Sequence, residues 1–568
     1  MAIGVAMLGF GMSGTVVAFW QRMSPAVASR RFASCALLTV LSLIIVPVVA
    51  TRIPVDTTQL LWDARQWPAV GALYALLATP FATGGLVVLL ALASDRDHSG
   101  RLYGASFVGS GIGVLLALPL LWLVTPGRAL AAPAVLAAVG ATTATTQTQR
   151  KVAWAALVLS IGVLIVPLWT IRIAPYKALP QVEAYPGAKR VAERTSPLGW
   201  VVAVDAAAFR YAPGLSLGFR GRVSRQTALF VDGGLVGAAA SSSRDAEADS
   251  MLGWLPSALP YSLEGIDTVL ALGAGGSLEV ATARFHGAAQ VTAVELLPDI
   301  VDLTRRPDTS IAWIIADARS FTSRTKGPYH LVTIGPAGSL GGSAAGMHAL
   351  NEDFLHTTEA YTQFLGLLGD RGVLAITRWL SIPPRENVRV ILTSVKALRR
   401  VAPDHVDDGL IVARSWGTVT TLVKPSGFTD RDVTRLRAWA ASRQFDIDWE
   451  PGMTVSEAGF HELAEPTLFQ AAAAAIDGVQ SARTFAATYP FRVKPATDAR
   501  PYPHHFLGAG ALTTLLRSRS GDWLPFAEWG YVTLIATLLQ STALAALFLL
   551  GPAWWLGRSA ARRPLVPV

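Results

Sequence analysis

The hydrophobic positions of this chain fall into two regimes. Seven runs without a charged residue extend from Met1 to Gln21, Ala33 to Thr51, Gln66 to Ser94, Leu102 to Gly127, Ala129 to Gln149, Val152 to Ile171 and Trp529 to Gly557. Each approaches or exceeds the ~20 residues that a helix rising about 1.5 Å per residue needs to cross about 30 Å of hydrocarbon. The run at Ala129 is the weakest, because Pro133 and its polar end lower its apolar content. Trp20, Trp67, Trp122, Trp169, Trp529 and Trp554 sit near run ends, where an indole favours the headgroup zone. Gly9, Gly11 and Gly14 predict close helix packing in the first run. That run starts at Met1 with no polar or basic leader, a poor signal peptide, and suggests that a further helix precedes it.

Between the sixth and seventh runs the period changes. Up to about Ser262, short strands such as Gly199 to Val204 and Thr227 to Val231 are punctuated by Pro213, Gly214, Gly221, Gly233 and Gly234, which predicts a small β subdomain. Ser241 to Asp249 predicts a loop, and Met251 to Leu255 a short helical stretch ended by Pro256. From Asp267, strand runs alternate with helical stretches: Thr268 to Leu272, Val291 to Glu295, Ile311 to Ile315, His330 to Ile334, Gly372 to Thr377 and Thr418 to Val423. Such alternation predicts a doubly wound, Rossmann-like α/β sheet. The chain therefore divides into a six-helix membrane region (1–171), a β-rich subdomain (172–262), a Rossmann-like domain (263–425), an extension (426–528), a last membrane helix (529–557) and a basic tail (558–568).

Composition removes some function classes. The net charge is +9, but the basic residues are scattered, with no stripe interleaved by aromatics, so nucleic acid is not an expected partner. Basic loops beside membrane helices account for the charge, and the lipid bilayer is the expected surrounding. The single cysteine, Cys35, lies in an apolar run and excludes disulfides and thiolate metal sites.

The chemistry concentrates after the first strand of the α/β region. Gly273, Gly275 and Gly276 follow Val269 to Leu272, and Ser277 stands where it can cap the next helix. Glu295 ends the next strand 22 residues after Gly273, and Asp317 follows the third strand 22 residues further on. At these strand ends Glu295 suits ribose hydroxyls, and Asp317 with the Ala318 N–H suits an adenine edge. The alternative is that Glu295 and Asp317 only cap loops.

With these motifs the chain resembles the membrane-fused spermidine synthase-like proteins, in which a polyamine-synthase fold is attached to helices like those of a major-facilitator half. The resemblance runs through Gly100-Arg-Leu-Tyr-Gly-Ala-Ser-Phe-Val-Gly-Ser-Gly-Ile-Gly113, Leu229-Phe-Val-Asp-Gly233, the glycine loop, Val294-Glu295, Ala316-Asp317-Ala318, Leu350-Asn-Glu-Asp-Phe354 and Thr497-Asp-Ala-Arg-Pro501. It implies S-adenosylmethionine or its decarboxylated form as donor substrate, no metal, and a small amine or polyamine as acceptor, with a homo-oligomer possible. The chain departs from the family where a strand ends in Asp-Ser-Ser-Asp, because Ile334-Gly-Pro-Ala-Gly338 stands there and both acids are missing. The glycine loop also lacks the usual acid, and Val236 stands where a glutamine is frequent.

An ammonium nucleophile must lose a proton before it attacks, and a positioned carboxylate is the usual help. Glu352, Asp353, Asp232 and Asp498 are the candidate substitutes, with Tyr361 as a hydroxyl donor; the alternative for Glu352 and Asp353 is that they begin a helix. His504 and His505 read as a polar loop rather than a metal pair, and Arg378 and Trp379 as a loop or the mouth of a substrate site. Aminopropyl transfer is the first reading, methyl transfer the second. A non-catalytic polyamine or nucleotide sensor or transport component is the third; against transport, the helices hold no internal acid or base.

Sidedness is divided. Arg22, Arg30, Arg31, Arg96, Arg101, Arg150 and Lys151 fall in one set of loops and Arg52, Arg65 and Arg128 in the other, which puts the soluble insert outside if all six early runs cross. If the Ala129 run does not cross, the insert lies in the cytoplasm, and the use of an adenosyl pocket there favours that side of a multi-pass membrane protein.

Overall fold

In a computed structural model the described residues are 2–20, 25–56, 59–60, 62–95, 97–144, 147–166, 168–175, 177–240, 249–276, 278–305, 308–336, 351–459, 461, 465–508, 510–513 and 529–561. Ser277, most of the Ser241 to Asp249 loop, residues 337–350 and the tail arginines Arg562 and Arg563 lie outside them. Two compact units form: Met1–Pro175 with Arg194–Trp200 and Thr533–Val568, and Tyr176–Glu193 with Val201–Val532.

In the first unit, helices span Ala2–Phe19, Pro25–Ala50, Gln66–Ser94, Ser99–Leu123, Ala132–Ala144 and Gln147–Ile165. Five spans among the described residues are long and apolar enough to cross a membrane: Val27–Ala50, Gln66–Ser94, Ser99–Leu123, Pro126–Ala144 and Thr533–Leu556. The sequence predicts seven. Ile3–Phe19 is a shorter apolar helix, and Gln147–Ile165 spends its first turn on Gln147, Gln149, Arg150 and Lys151. The span at Pro126 is broken by a turn at Leu130 and Ala131, which accords with its weak apolar pattern. Gly9 does make a close approach: a Cβ there would lie 2.5 Å from the Ala78 carbonyl, whereas Gly14 faces open space. Polar side chains inside this unit pair with each other, Ser42 with Thr83 at 3.2 Å and Ser541 with Tyr74 at 3.0 Å. Hydroxyl pairs of this kind satisfy groups that lipid cannot. The last helix runs on to Ala561, past the boundary expected at 557, and Arg558 lies over the Trp554 ring.

The second unit holds two sheets. β1 (Lys189–Ser196), β2 (Gly199–Asp205), β3 (Gln226–Val231) and β4 (Gly234–Ala240) form one in that order, apart from the Arg194–Trp200 segment where β1 ends and β2 begins, which groups with the first unit. β3 and β4 are joined by Asp232 and Gly233, with φ of 50° and 79°, the two-residue turn whose twist suits a hairpin. Asp232 is therefore a turn residue of this hairpin. The stretch before Pro256 is a 3-10 helix, Ser250–Trp254, which ends at an extended Leu255 before the proline as expected, and Pro256 also begins a second, Pro256–Ser262. Proline suits a first helical position because its missing N–H would be unpaired there.

Among the described residues the second sheet has eight strands, β12-β10-β11-β9-β8-β5-β6-β7. β5 (Thr268–Leu272), β6 (Gln290–Glu295), β7 (Ile311–Ile315), β8 (Tyr329–Ile334) and β9 (Leu368–Trp379) are parallel, and β11 (Thr418–Val423) and β10 (Leu410–Arg414) close an antiparallel edge with β12 (Asp446–Trp449). The six strand runs read from the sequence are present, and β10 and β12 are additional. β12 extends the sheet beyond the boundary expected at residue 425. Buried apolar side chains cover both faces, Leu270, Val332 and Ile376 on one and Val269, Leu331 and Ala375 on the other. Two-sided burial explains why these strands read as continuous apolar runs rather than alternating ones. The chain steps from β5 outward to β7, then returns to place β8 on the other side of β5. That reversal is the topological switch point, where such sheets bind ligands at their carboxyl ends.

Candidate functional site

Register brings the glycine loop and both predicted carboxylates to the same end of the sheet. Leu272 pairs with Val294 and Ile334, and Glu295 with Ile315, so Gly273, Glu295, Ile315 and Gly335 line up at the carboxyl ends of adjacent strands, with Asp317 two residues beyond. The three glycines differ in what they do. Gly273 turns the chain at φ 63° with open space where a Cβ would be, and Gly275 continues the bend at φ 44°. Gly276 instead meets β4: a Cβ would lie 2.1 Å from the Ala238 nitrogen, and Gly237 presses back on Gly276 in the same way. Only glycine on both sides permits this backbone contact. Gly276, expected to approach a ligand, is thus explained by packing against the small sheet.

Glu295 is buried and turned towards the bend. The Gly275 N–H donates to its Oε2 at 2.8 Å and the Leu297 N–H to its Oε1 at 3.0 Å. A carboxylate has about four lone-pair sites, so one bond per oxygen leaves capacity for hydroxyl donors. Asp317 caps the helix Ala318–Thr322 by accepting from the Ser320 N–H at 2.8 Å. Both acids therefore do the capping work that was the alternative to ligand binding, and both also line a crevice of about 250 Å³ with Gly273, Ala318, Arg319, Glu352 and Asp353. That is just below the ~300 Å³ at which sites for drug-sized ligands begin, and suits a nucleoside-sized group. Arg319 is the cation of this lining, and its guanidinium is held by Asp498 at 3.0 Å and by Gln363. Asp498 also accepts from Thr357 at 2.6 Å, so it braces the site from behind. Glu352 is exposed and accepts from the Tyr502 hydroxyl at 3.1 Å.

Behind Asp353 lies a buried polar network that the sequence did not disclose. Asp353 starts the short 3-10 helix Phe354–His356 and accepts from the Leu355 N–H, as the helix-start alternative requires. Its Oδ2 also faces His504 at 3.3 Å and His356 at 4.0 Å. His504 faces Glu386 at 3.7 Å, and Glu386 forms an ion pair with Arg378. His356 meets the Tyr361 hydroxyl at 2.8 Å. Tyr361 is 0% exposed. Its hydroxyl meets His356 and is not part of the crevice lining, so in this structure Tyr361 stands one residue behind the expected donor position.

The charges in this network are fixed by burial and by each other. Burial opposes charge on Glu386, and Arg378, His504 and His356 outweigh it, lowering its pKa to about 2. Burial likewise opposes charge on Asp353, but His356, His504 and Arg378 hold it far below the usual carboxylate range. Burial lowers His356 to about 4, so it is neutral at physiological pH. Asp353 is thus a permanent anion at the edge of the crevice. Arg378 is buried within the network rather than at a mouth, and Trp379 packs edge-on against Tyr211.

His504 owes its place to Arg389, whose guanidinium gathers the carbonyls of Tyr502 at 3.1 Å, His505 at 2.7 Å, Pro503 and Arg492. The loop carrying His504 is therefore part of the site wall and not a plain polar loop. The sequence singles out Asp353, Tyr361, Arg378 and His504 one by one, with no signal that joins them. Among the described residues no group of three or more His, Cys, Asp or Glu is arranged to hold a metal ion.

No family model matches the chain, and no curated protein matches it. Among solved structures, a probable spermidine synthase from Corynebacterium glutamicum is similar at 10% identity, over 45% of this chain and 86% of that one, with a TM-score of 0.31. A spermidine synthase from Thermotoga maritima is similar at 13% identity, over 43% and 75%, with a TM-score of 0.28. Human methyltransferase-like protein 13 in complex with SAH is similar at 12% identity, over 37% and 96%, with a TM-score of 0.23. Identities this low leave the roles of individual residues to be read from their own geometry.

Proposed function

We propose that the second unit is an S-adenosyl-dependent transferase that moves an aminopropyl group from decarboxylated S-adenosylmethionine to a small amine or polyamine, in a protein held in a lipid bilayer by its apolar helices. One observation carries the reading: the crevice at the ends of β5, β6 and β7 is lined by four carboxylates, Glu295, Asp317, Glu352 and Asp353, against one guanidinium already bound by Asp498. Such a lining favours a cationic ligand without a carboxylate of its own. The decarboxylated donor has a sulfonium and an ammonium and no carboxylate, whereas S-adenosylmethionine brings an anion that would have to compete for Arg319.

In this reading Glu295 accepts from ribose hydroxyls with its remaining lone pairs, Asp317 and Ala318 face the adenine edge, and Asp353 offsets positive charge at the reacting end. Transfer of the aminopropyl group from sulfur to an amine nitrogen forms a C–N bond and breaks a C–S bond, whose electron pair stays on sulfur. The test is turnover by the purified full chain with a diamine and each donor in turn. Product from the decarboxylated donor alone is expected; product from S-adenosylmethionine alone makes the protein a methyltransferase. Binding without turnover favours a sensor, a second reading supported by the backbone bonds that Glu295 and Asp317 already make.

A cytoplasmic location for the second unit belongs to this reading, because an adenosyl-type pocket has its use on the side where its ligand is present. A reporter fused after Ile171 is expected to be active only if it is of the cytoplasmic type; activity of a periplasmic type alone contradicts this side.

A further inference from the structure

One buried acid plays no part in the site described so far. Glu279 lies in the first turn of the helix Leu278–Phe285, which the glycine loop starts, and is 6% exposed. Its carboxyl sits under the end of β8. Thr333 donates to Oε2 at 3.2 Å, and a Cβ at Gly335 would lie 2.7 Å from Oε1, so a larger residue there would have to displace the carboxyl. Ser257 and Tyr261 of the segment Pro256–Ser262 and Tyr211 complete its surroundings. Oε1 has no hydrogen-bond partner, and no cation pairs with the carboxyl, among the described residues. A buried carboxyl left half satisfied costs stability unless something else uses it. Its helix follows β5 and its carboxyl meets Thr333 and Gly335 at the end of β8, which is the switch point of the sheet, where folds of this kind bind ligands.

We propose that Glu279 is the acceptor-side base: a buried carboxylate that takes the ammonium of a primary amine at the switch point and removes its proton for attack on the donor. This rests on the transferase reading above. The ammonium gives a proton to the Glu279 carboxylate, leaving a neutral amine and a neutral acid. The amine nitrogen then forms its bond to the carbon beside the sulfonium, the C–S bond breaks with its electron pair going to sulfur, and the product leaves as a secondary ammonium.

The two acids divide the work by environment. Asp353 is held ionised by its imidazole and guanidinium neighbours, so it offsets charge and is a poor base. Burial raises Glu279 to about 7 against the hydrogen bonds of Thr333 and Ser257, so it exchanges a proton near neutral pH. Pairs of titratable groups pushed apart in this way mark acid–base assignments. The sign for stability follows: the folded protein holds this proton more tightly than the unfolded chain. Stability therefore falls as pH rises from about 4.5 through about 7, and Glu279→Gln removes that slope.

The experiment is calorimetric titration of the full chain with 1,4-diaminobutane at pH 7 in buffers of different ionisation enthalpy, for wild type and Glu279→Gln, with 5′-methylthioadenosine titrated in parallel to show that the variant's donor site is intact. Wild type is expected to release about half a proton per amine bound, since the acid is about half protonated there and fully ionised in the pair. The variant is expected to release none, to bind the amine about tenfold more weakly, to keep its affinity for the nucleoside, and to turn over about a hundredfold more slowly. Equal amine affinity and proton release in the two proteins would overturn the proposal, as would a wild type that binds nucleoside but no amine. A wild type that binds amine with Glu279-dependent proton release but binds no nucleoside would overturn the transferase reading and with it the role as base, leaving an amine site.

Discussion

Glu295→Ala is expected to weaken binding of an S-adenosyl ligand by about a hundredfold or more and to lower the melting temperature of the second unit. The substitution removes the acceptor assigned to the ribose hydroxyls, where each lost charged hydrogen bond is worth about 1.5–3 kcal/mol. It also leaves two buried backbone donors without partners, the Gly275 and Leu297 N–H groups that Glu295 now satisfies. Each such group costs about 1–3 kcal/mol. Glu295→Gln separates the two effects, because its amide keeps one acceptor oxygen but puts an NH2 against the other backbone donor. The glutamine variant is expected to lose affinity while keeping more of the stability. Titration of the three proteins with one ligand checks this; an alanine variant that is destabilised yet binds as tightly as wild type would make Glu295 a structural residue only.

Asp353→Asn is expected to lower turnover by about 10²–10³-fold, the range seen when one fixed electrostatic group is removed from a site. Asp353 is the anion of the crevice with the strongest local reason to stay charged, since His504, His356 and Arg378 surround it. Asparagine keeps the shape and the acceptor for the Leu355 N–H. The discriminating measurement compares two ligands: affinity for the sulfonium donor falls, while affinity for the uncharged thioether 5′-methylthioadenosine stays within about twofold of wild type, as expected for a change in charge alone. Equal losses for both ligands would mean that the substitution disturbs the Asp353–His504 wall and not the charge.

How far the chain was legible follows from the range over which its signals act. The parallel strands β5 to β8 were readable because burial on both faces makes each an unbroken apolar run, and the bend after β5 because glycine is required at φ 63° and 44°. Glu295 and Asp317 were readable because the first ends its strand and the second comes two residues after its own, and register brings both to the same end of the sheet. β10 and β12 escaped notice: β10 ends in Arg414, whose charge is offset by Asp446 and Asp448 on its partner strand, a pairing that spacing does not reveal. The second reason for Gly276, its contact with Gly237, is a tertiary approach of two backbones.

The polar network was the least legible part. His504 reaches Asp353 across 151 residues, and what holds it there is Arg389 collecting carbonyls from a distant loop. Tyr361 read as a hydroxyl donor to the site, yet the helix Thr358–Leu365 turns its tyrosine into the core against Phe364. Glu279 drew no attention, since a glutamate in a first helical turn ordinarily serves the helix dipole in solvent. Only burial under Gly335 sets it apart.

The central claim is that the glycine bend, Glu295 and Asp317 form a site for an adenosyl group. Calorimetric titration of the purified full chain with decarboxylated S-adenosylmethionine tests it most directly. Saturable binding of one ligand per chain, lost in Glu295→Ala, is the result the account predicts; no heat of binding up to millimolar ligand in a folded wild-type protein would contradict it.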